Sequence, residues 1–287
     1  MTKPAGGTLP PWSLAIAAIL SIQLSSALAV SLIDSIGAAG AAWLRTTAGA
    51  LVLLAIARPP LRSVHRQHVP ALVGLGVTTG LMSVAFLAAL EHIPLGTAVA
   101  IEFLGPLTVV AVHSHSRRAL AWPALALLGV ILLTEPWQGE FNLVGMGFAA
   151  LAGACWGGYI VLTQHVGDRF TGITGLSITL PIAAIATAVV GIPQAAGHLT
   201  PMVLLAGLGL GLLHPLLTFA LEMSALKRMT TAAFGTLMAI EPAIAVLIGL
   251  VVLHQQPTLI QLVGIALVIV AGAAAQQRSR RSELLPA

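Results

Sequence analysis

Apolar runs of about 20 residues follow one another along most of the chain, with only short polar stretches between them. A helix of that length crosses a bilayer core of about 30 Å, and it satisfies its own backbone hydrogen bonds in hydrocarbon. The runs therefore restrict the chain to one class, an all-α integral membrane protein. Composition agrees. Hydrophobic residues make up 57% of the 287 and charged residues 8%, against about 25% charged in an ordinary soluble domain. Mean hydropathy is +0.99. Cys155 is the single cysteine, which excludes an internal disulfide and a multi-cysteine metal site.

The runs predict ten transmembrane helices, at about 12–33, 40–57, 70–90, 94–112, 119–134, 143–165, 173–192, 201–225, 230–252 and 258–275. Lys and Arg accumulate in cytoplasmic loops. With both termini cytoplasmic, every basic residue except Arg45 falls on that side: Lys3, Arg58, Arg62, Arg66, Arg117, Arg118, Arg169, Lys227, Arg228, Arg278, Arg280 and Arg281. Asp34, Glu91, Glu135 and Glu140 fall in the outer loops. Basic residues scattered in this way report topology and point away from nucleic acid, despite a net charge of +4. Trp12, Trp43, Trp122 and Trp137 lie near expected interfaces. Lys3, an apolar run and Ala27-Leu28-Ala29 imitate a signal peptide, but the run is long enough to span.

An internal repeat is visible. ALEHIPLGTAVAIEFLGPLTVV (89–110) aligns without a gap on ALKRMTTAAFGTLMAIEPAIAV (225–246), placing Pro106 on Pro242. Five predicted helices separate the copies, so the halves run in opposite directions across the membrane. Two inverted five-helix repeats follow, residues 1–135 and 136–277, with a cytoplasmic tail at 278–287. Inverted repeats are typical of secondary transporters, whose sites lie near the bilayer midplane between the halves. Gly145, Ala149, Gly153 and Gly157, and also Gly76 and Gly80, recur at four-residue spacing and predict close helix contacts.

A charge at the bilayer centre costs about 2.5–3.5 kcal/mol on insertion scales, so it must face protein or water. Glu102 lies midway along the fourth predicted helix, either lining a cavity or bonded as an acid to a neighbouring helix. Glu241 lies equally deep, just before Pro242, and aligns with Gly105, one turn from Glu102. It is either a second cavity carboxyl or a cap on a kink. Two carboxyls removed from water can hold a proton, because desolvation penalises the charged form. Pro106, Pro215 and Pro242 each free a backbone carbonyl one turn earlier. Arg45 is either an interface anchor or a partner for a carboxylate. His214 either relays protons or satisfies a kinked backbone, and Trp156 either walls the cavity or packs elsewhere. Glu222 fits a surface ion pair near Lys227 and Arg228.

Other signals are weak. Ser224 to Lys227 matches S-x-x-K without the companion boxes of serine acylases. His113 and His115 are better read as a wet loop than as metal ligands. No ATP-binding loop is present, and no cofactor or metal is expected.

PLGTAVAIEFLGPL (94–107), GACWGGYIVL (153–162), LEMSAL and TAAFGTLMAIEPAIA (221–245) carry a resemblance. The chain resembles the EamA-type branch of the drug/metabolite transporter superfamily, and these segments are most similar to threonine and homoserine exporters of the RhtA type. That resemblance implies a multi-pass protein of the bacterial inner membrane that exports amino acids in exchange for protons, with Glu102 and Glu241 characteristic of the branch. Related branches export aromatic amino acids, nucleobases or cationic drugs. An integral-membrane enzyme is a remote alternative, since no nucleophile with a base is apparent. A zwitterion needs an acceptor for its ammonium, which Glu102 or Glu241 supplies, and donors for its carboxylate, from Arg45 or a helix N-terminus. With 5% aromatic residues little is left for stacking a flat ligand, which favours a small polar amino acid.

Overall fold

The computed structural model describes residues 10–57, 68–113, 120–135, 137, 142–166 and 172–284. Every regular element among them is helical: α1 (Pro11–Ala57), α2 (Val69–Leu90), α3 (Leu95–Glu102), α4 (Leu104–His113), α5 (Ala121–Thr134), α6 (Leu143–Val166), α7 (Gly172–Ala195), α8 (Pro201–Gly211), a π-wound turn (Leu212–Leu217), α9 (Thr218–Leu226), α10 (Thr231–Met238), α11 (Glu241–Val252) and α12 (Leu259–Leu284). Seven helical segments are long and apolar enough to cross a membrane, and Ala121–Thr134 and Leu259–Ala275 are shorter apolar helices. The basic groups at Lys3, Arg58–Arg66, Arg117–Arg118 and Arg169, as well as Glu140 and His115, lie outside the described residues.

The first segment is 47 residues long, about 70 Å at 1.5 Å per residue, or twice a bilayer core. Only Gly37 departs from helical geometry, with φ 75 and ψ 165. Glycine is what that positive φ favours, and a Cβ there would run into the Gln194 side chain. The expected loop around Asp34 is thus a correction: Asp34 is an exposed helical residue, because one glycine suffices to redirect the chain. The amides just past the bend resemble a helix start, where N–H groups lack intrahelical partners. Glu91 Oε1 accepts from Ala38 N at 3.1 Å, and Gln194 Oε1 accepts from Gly40 N at 3.0 Å.

The same end of the bundle is tied between the first and second halves elsewhere. Leu95 N donates to Gln255 Oε1 (3.1 Å), Thr258 Oγ1 to Glu135 Oε1 (3.0 Å) and Gln261 Nε2 to the Leu133 carbonyl (3.2 Å).

Small residues set the helix spacing. On α6, Gly145 faces His92 and Ile93, Gly153 faces the Glu102 carbonyl, and Gly157 faces Val109 and Gly105. On α2, Gly76 and Gly80 lie against the α7 backbone at Thr179 and Ala183. The contiguous core runs from α1 through α3 to α12, while many leucines and valines stay exposed on the outside of the bundle. Such a rim suits lipid rather than water. Trp12 and Trp137 are exposed; Trp43 and Trp122 are half-buried.

Candidate functional site

Two helix breaks put carboxyls at the centre. Proline cannot donate a backbone hydrogen bond, so Pro106 leaves the carbonyl of Glu102 without its partner, and Pro242 does the same to Met238. α3 ends at Glu102 and α10 ends at Met238, each four residues before its proline. In the repeat register these end points coincide, and the residues that follow them, Phe103 and Ala239, both lie against Gly272 of α12. The first break is pressed on α6 so closely that a Cβ at Gly105 would land on the Gly153 carbonyl.

A third irregularity faces these breaks. Between α8 and α9 the chain winds as a π-turn in which His214 is non-helical (φ −145, ψ 119), followed by Pro215. Carbonyls in this turn and just before it find hydroxyls: Ser25 Oγ donates to Leu210 O at the end of α8 (3.2 Å), Ser21 Oγ to Leu213 O (2.7 Å) and Thr218 Oγ1 to Leu213 O (3.1 Å). Those hydroxyls satisfy the irregular backbone, one of the two roles expected for His214, whose Nδ1 is buried with no partner. Gly49 accepts Pro215 closely; a Cβ there would lie 2.8 Å from the proline ring.

Between the three irregularities lies a cavity of about 240 Å³. Arg45, Glu102, Trp156, His214 and Glu241 all line it. Pro215 is also in the wall, whereas Pro106 and Pro242 shape it from behind. Arg45 is 4% exposed. Its Nη2 donates to Ser83 Oγ at 2.8 Å and its Nη1 has no partner. Among the described residues no carboxylate is hydrogen-bonded to it, so its burial is not that of a snorkelling anchor. Trp156 both walls the cavity and packs edge-on against Phe103, with ring centroids 6.1 Å apart.

The two glutamates differ. Glu241 is 6% exposed and accepts from Gln23 Nε2 at 3.0 Å. Glu102 is half-buried, open to the cavity.

Sequence reading missed several lining residues. Glu222, expected in a surface pair, lines the cavity instead, while Lys227 and Arg228 are exposed; at one turn from the end of α9 its side chain turns inward. Gln23, Ser83 and Thr218 were overlooked because they are uncharged. A glutamine and serines in SIQLSS (21–26), inside an apolar run, were the available signal. Ser224 Oγ bonds back to the Ala220 carbonyl at 2.7 Å, an ordinary helical contact. Among the described residues no group of three metal-ligating side chains occurs.

Residues 143–274 match the model of the EamA-like transporter family. Over 280 residues the chain is 36% identical to the threonine/homoserine exporter RhtA of Salmonella typhimurium (strain SL1344), covering 95% of this chain and 94% of that one. The Escherichia coli (strain K12) threonine/homoserine exporter RhtA is 37% identical over 270 residues, 92% of this chain and 91% of the relative. A crystal structure of a protein at 22% identity covers 94% of this chain and 99% of its own, with a TM-score of 0.62, which is a likeness of fold. These relatives are exporters, and the enzyme alternative falls away. The chain is a member of the EamA-like transporter family.

Proposed function

We propose that the protein is a secondary transporter of the bacterial inner membrane that exports small amino acids of the threonine and homoserine kind by alternating access, coupled to protons. In this reading α1 contributes two spans that meet at Gly37. The chain then has ten spans in two inverted repeats, 1–135 and 136–277, with cytoplasmic termini and tail. The coincident helix breaks four residues before Pro106 and Pro242 support the repeat.

The observation that carries the reading is a buried guanidinium with a free donor sharing one cavity with three carboxyls, Glu102, Glu222 and Glu241. A hydrogen bond to a charged group is worth about 1.5–3 kcal/mol, and a buried donor left unmade costs a comparable amount. Arg45 is therefore suited to the substrate carboxylate, with Ser83 holding its orientation. Glu102 takes the ammonium. Trp156 and His214 complete the wall. A cavity of about 240 Å³ is below the range of about 300–1,000 Å³ for drug-sized ligands, which favours a small solute.

The cavity reaches Leu176, Tyr159 and Glu222, near the ends of α7, α6 and α9, and the opposite end carries the cross-half ties. In the proposed topology this is a cytoplasm-facing state. Substrate enters from the cytoplasm, the halves rock, and a proton entering from outside resets the carboxyl pair. Counterflow in proteoliposomes with labelled threonine, homoserine, aromatic amino acids, nucleobases and a cationic dye tests the reading. Exchange of the first two is expected; exchange of only a nucleobase or dye overturns the substrate class.

A further inference from the structure

Gln23 is 1% exposed, near the middle of the part of α1 that precedes Gly37, and its Nε2 donates to Glu241 Oε1 across 218 positions of sequence. Its own oxygen, Oε1, is buried and has no partner. A buried amide oxygen left unmet is costly, and the pairing of an amide with a carboxyl shows what would meet it. An ionised carboxylate only accepts, whereas a carboxylic acid also donates. A primary amide and a neutral acid form a two-bond ring, N–H to the acid carbonyl and O–H to the amide oxygen.

We infer that Gln23 is a positioning residue for the coupling proton: it recognises the protonated form of Glu241 and, through that pair, clamps the first half of α1 to α11. This rests on the proton-coupled reading above and identifies which carboxyl signals to the fold. When the proton sits on Glu241, both bonds close and the two repeats are joined at the cavity floor. When it leaves, the O–H···O bond is lost and two oxygens face each other, so the clamp loosens and the halves are released to rock. The proton moves to water in the cavity, and no other bond changes.

The groups that bias this equilibrium are few. From α1 comes Arg45, from α3 Glu102, from α6 Cys155 and Tyr159, and across the cavity stand His214 and Glu222. α12, also packed on α11, brings no ionisable side chain among the described residues from Leu259 to Ala275. Glu102 opens to the cavity and, among the described residues, has no amide partner, which suits it to the substrate ammonium instead.

The test uses full-length protein and two readouts. Infrared difference spectra between acidic and alkaline pH should contain a carboxylic-acid C=O band that disappears in Glu241→Gln and moves to higher frequency in Gln23→Leu, where the acid carbonyl loses its donor. In proteoliposomes, Gln23→Leu should lower efflux driven by a pH gradient about tenfold, the equivalent of one hydrogen bond, while counterflow at equal pH stays within about twofold of wild type. A merely structural role would depress both. Gln23→Met, unbranched and close in shape, replaces Gln23→Leu if that variant does not insert. The inference is overturned by the absence of a Glu241-dependent acid band in the wild type, by a band unmoved in the Gln23 variants, or by equal losses of gradient-driven efflux and counterflow. Failure of threonine or homoserine counterflow in the wild type would count against the substrate reading alone, since the infrared result needs no solute.

Discussion

The two broken helices use the same device for different ends. In each, a proline denies a partner to the carbonyl four residues earlier, and the helix stops there. Yet Glu102 is the last residue of α3, while Glu241 is the first residue of α11. The carbonyl end of a helix attracts cations and the amide end anions. Glu102 thus places a carboxyl that lines the cavity at the carbonyl end of a helix, a setting that suits an ammonium. Glu241 sits at an amide end, held by an amide from the other half of the molecule. In the proposed mechanism, a shift of three positions in the repeat register makes one structural break a binding element and the other a coupling element.

The sharpest way to break this comparison is to neutralise each carboxyl in turn. Glu102→Gln is expected to abolish proton-linked efflux and to raise the KM for substrate in counterflow by about tenfold to a hundredfold, since about 1.5–3 kcal/mol of charged hydrogen bonding is lost. The protein should still insert. Glu241→Gln is expected to remove the response to a pH gradient and to slow counterflow with the substrate KM unchanged, because an amide pairs with Gln23 as a protonated carboxyl does and the clamp stays closed. Parallel transport assays decide. Matching phenotypes for the two variants would erase the division of labour, and full efflux by Glu102→Gln would remove that residue from the mechanism.

Next in size is Arg45. Lysine keeps the charge but loses the planar fork that can hold Ser83 and a carboxylate together. Arg45→Lys should raise the counterflow KM for threonine about tenfold and leave the pH dependence of efflux unchanged. An amino-acid amide, which lacks the carboxylate, should compete poorly against threonine in the wild type and lose less in the variant. A changed pH profile would instead assign Arg45 to the proton cycle.

How far the sequence foretold this arrangement depends on the kind of residue. Apolar runs of bilayer length made the helices legible, and Pro106 and Pro242 made both breaks legible, because proline acts locally through its missing N–H. Glu102, Glu241 and Arg45 stood out as charges in hydrocarbon. Glu222 was misread because a turn from a helix end leaves two directions open, and only the packing of α9 on α1 decides between them. Gln23 carries no charge and its partner is 218 residues away, so no local pattern links the two. The bend at Gly37 was read as a loop, since sequence marks a glycine without saying that Glu91 and Gln194 stand ready to accept from the amides beyond it.

The smallest effects concern what each break rests on. At the first break α6 offers backbone: a Cβ at Gly153 would lie 2.7 Å from the Glu102 carbonyl oxygen, which cannot yield without moving the carboxyl below it. At the second, α12 offers side chains only: a Cβ at Gly272 would meet the Ala239 methyl at 3.0 Å and, from the first break, the Phe103 ring at 2.7 Å, and that ring can tilt. Gly147, on the exposed face of α6, would meet nothing within 4 Å. Overpacking costs about 1–3 kcal/mol, whereas alanine for glycine in an open helix gains up to about 1 kcal/mol. Thermal unfolding in detergent should therefore rank Gly153→Ala as the least stable, Gly272→Ala as intermediate, and Gly147→Ala as equal to or slightly above the wild type. If Gly272→Ala were as damaging as Gly153→Ala, the second break would be as rigidly seated as the first. The contrast between a fixed binding carboxyl and a releasable coupling carboxyl would then rest on Gln23 alone.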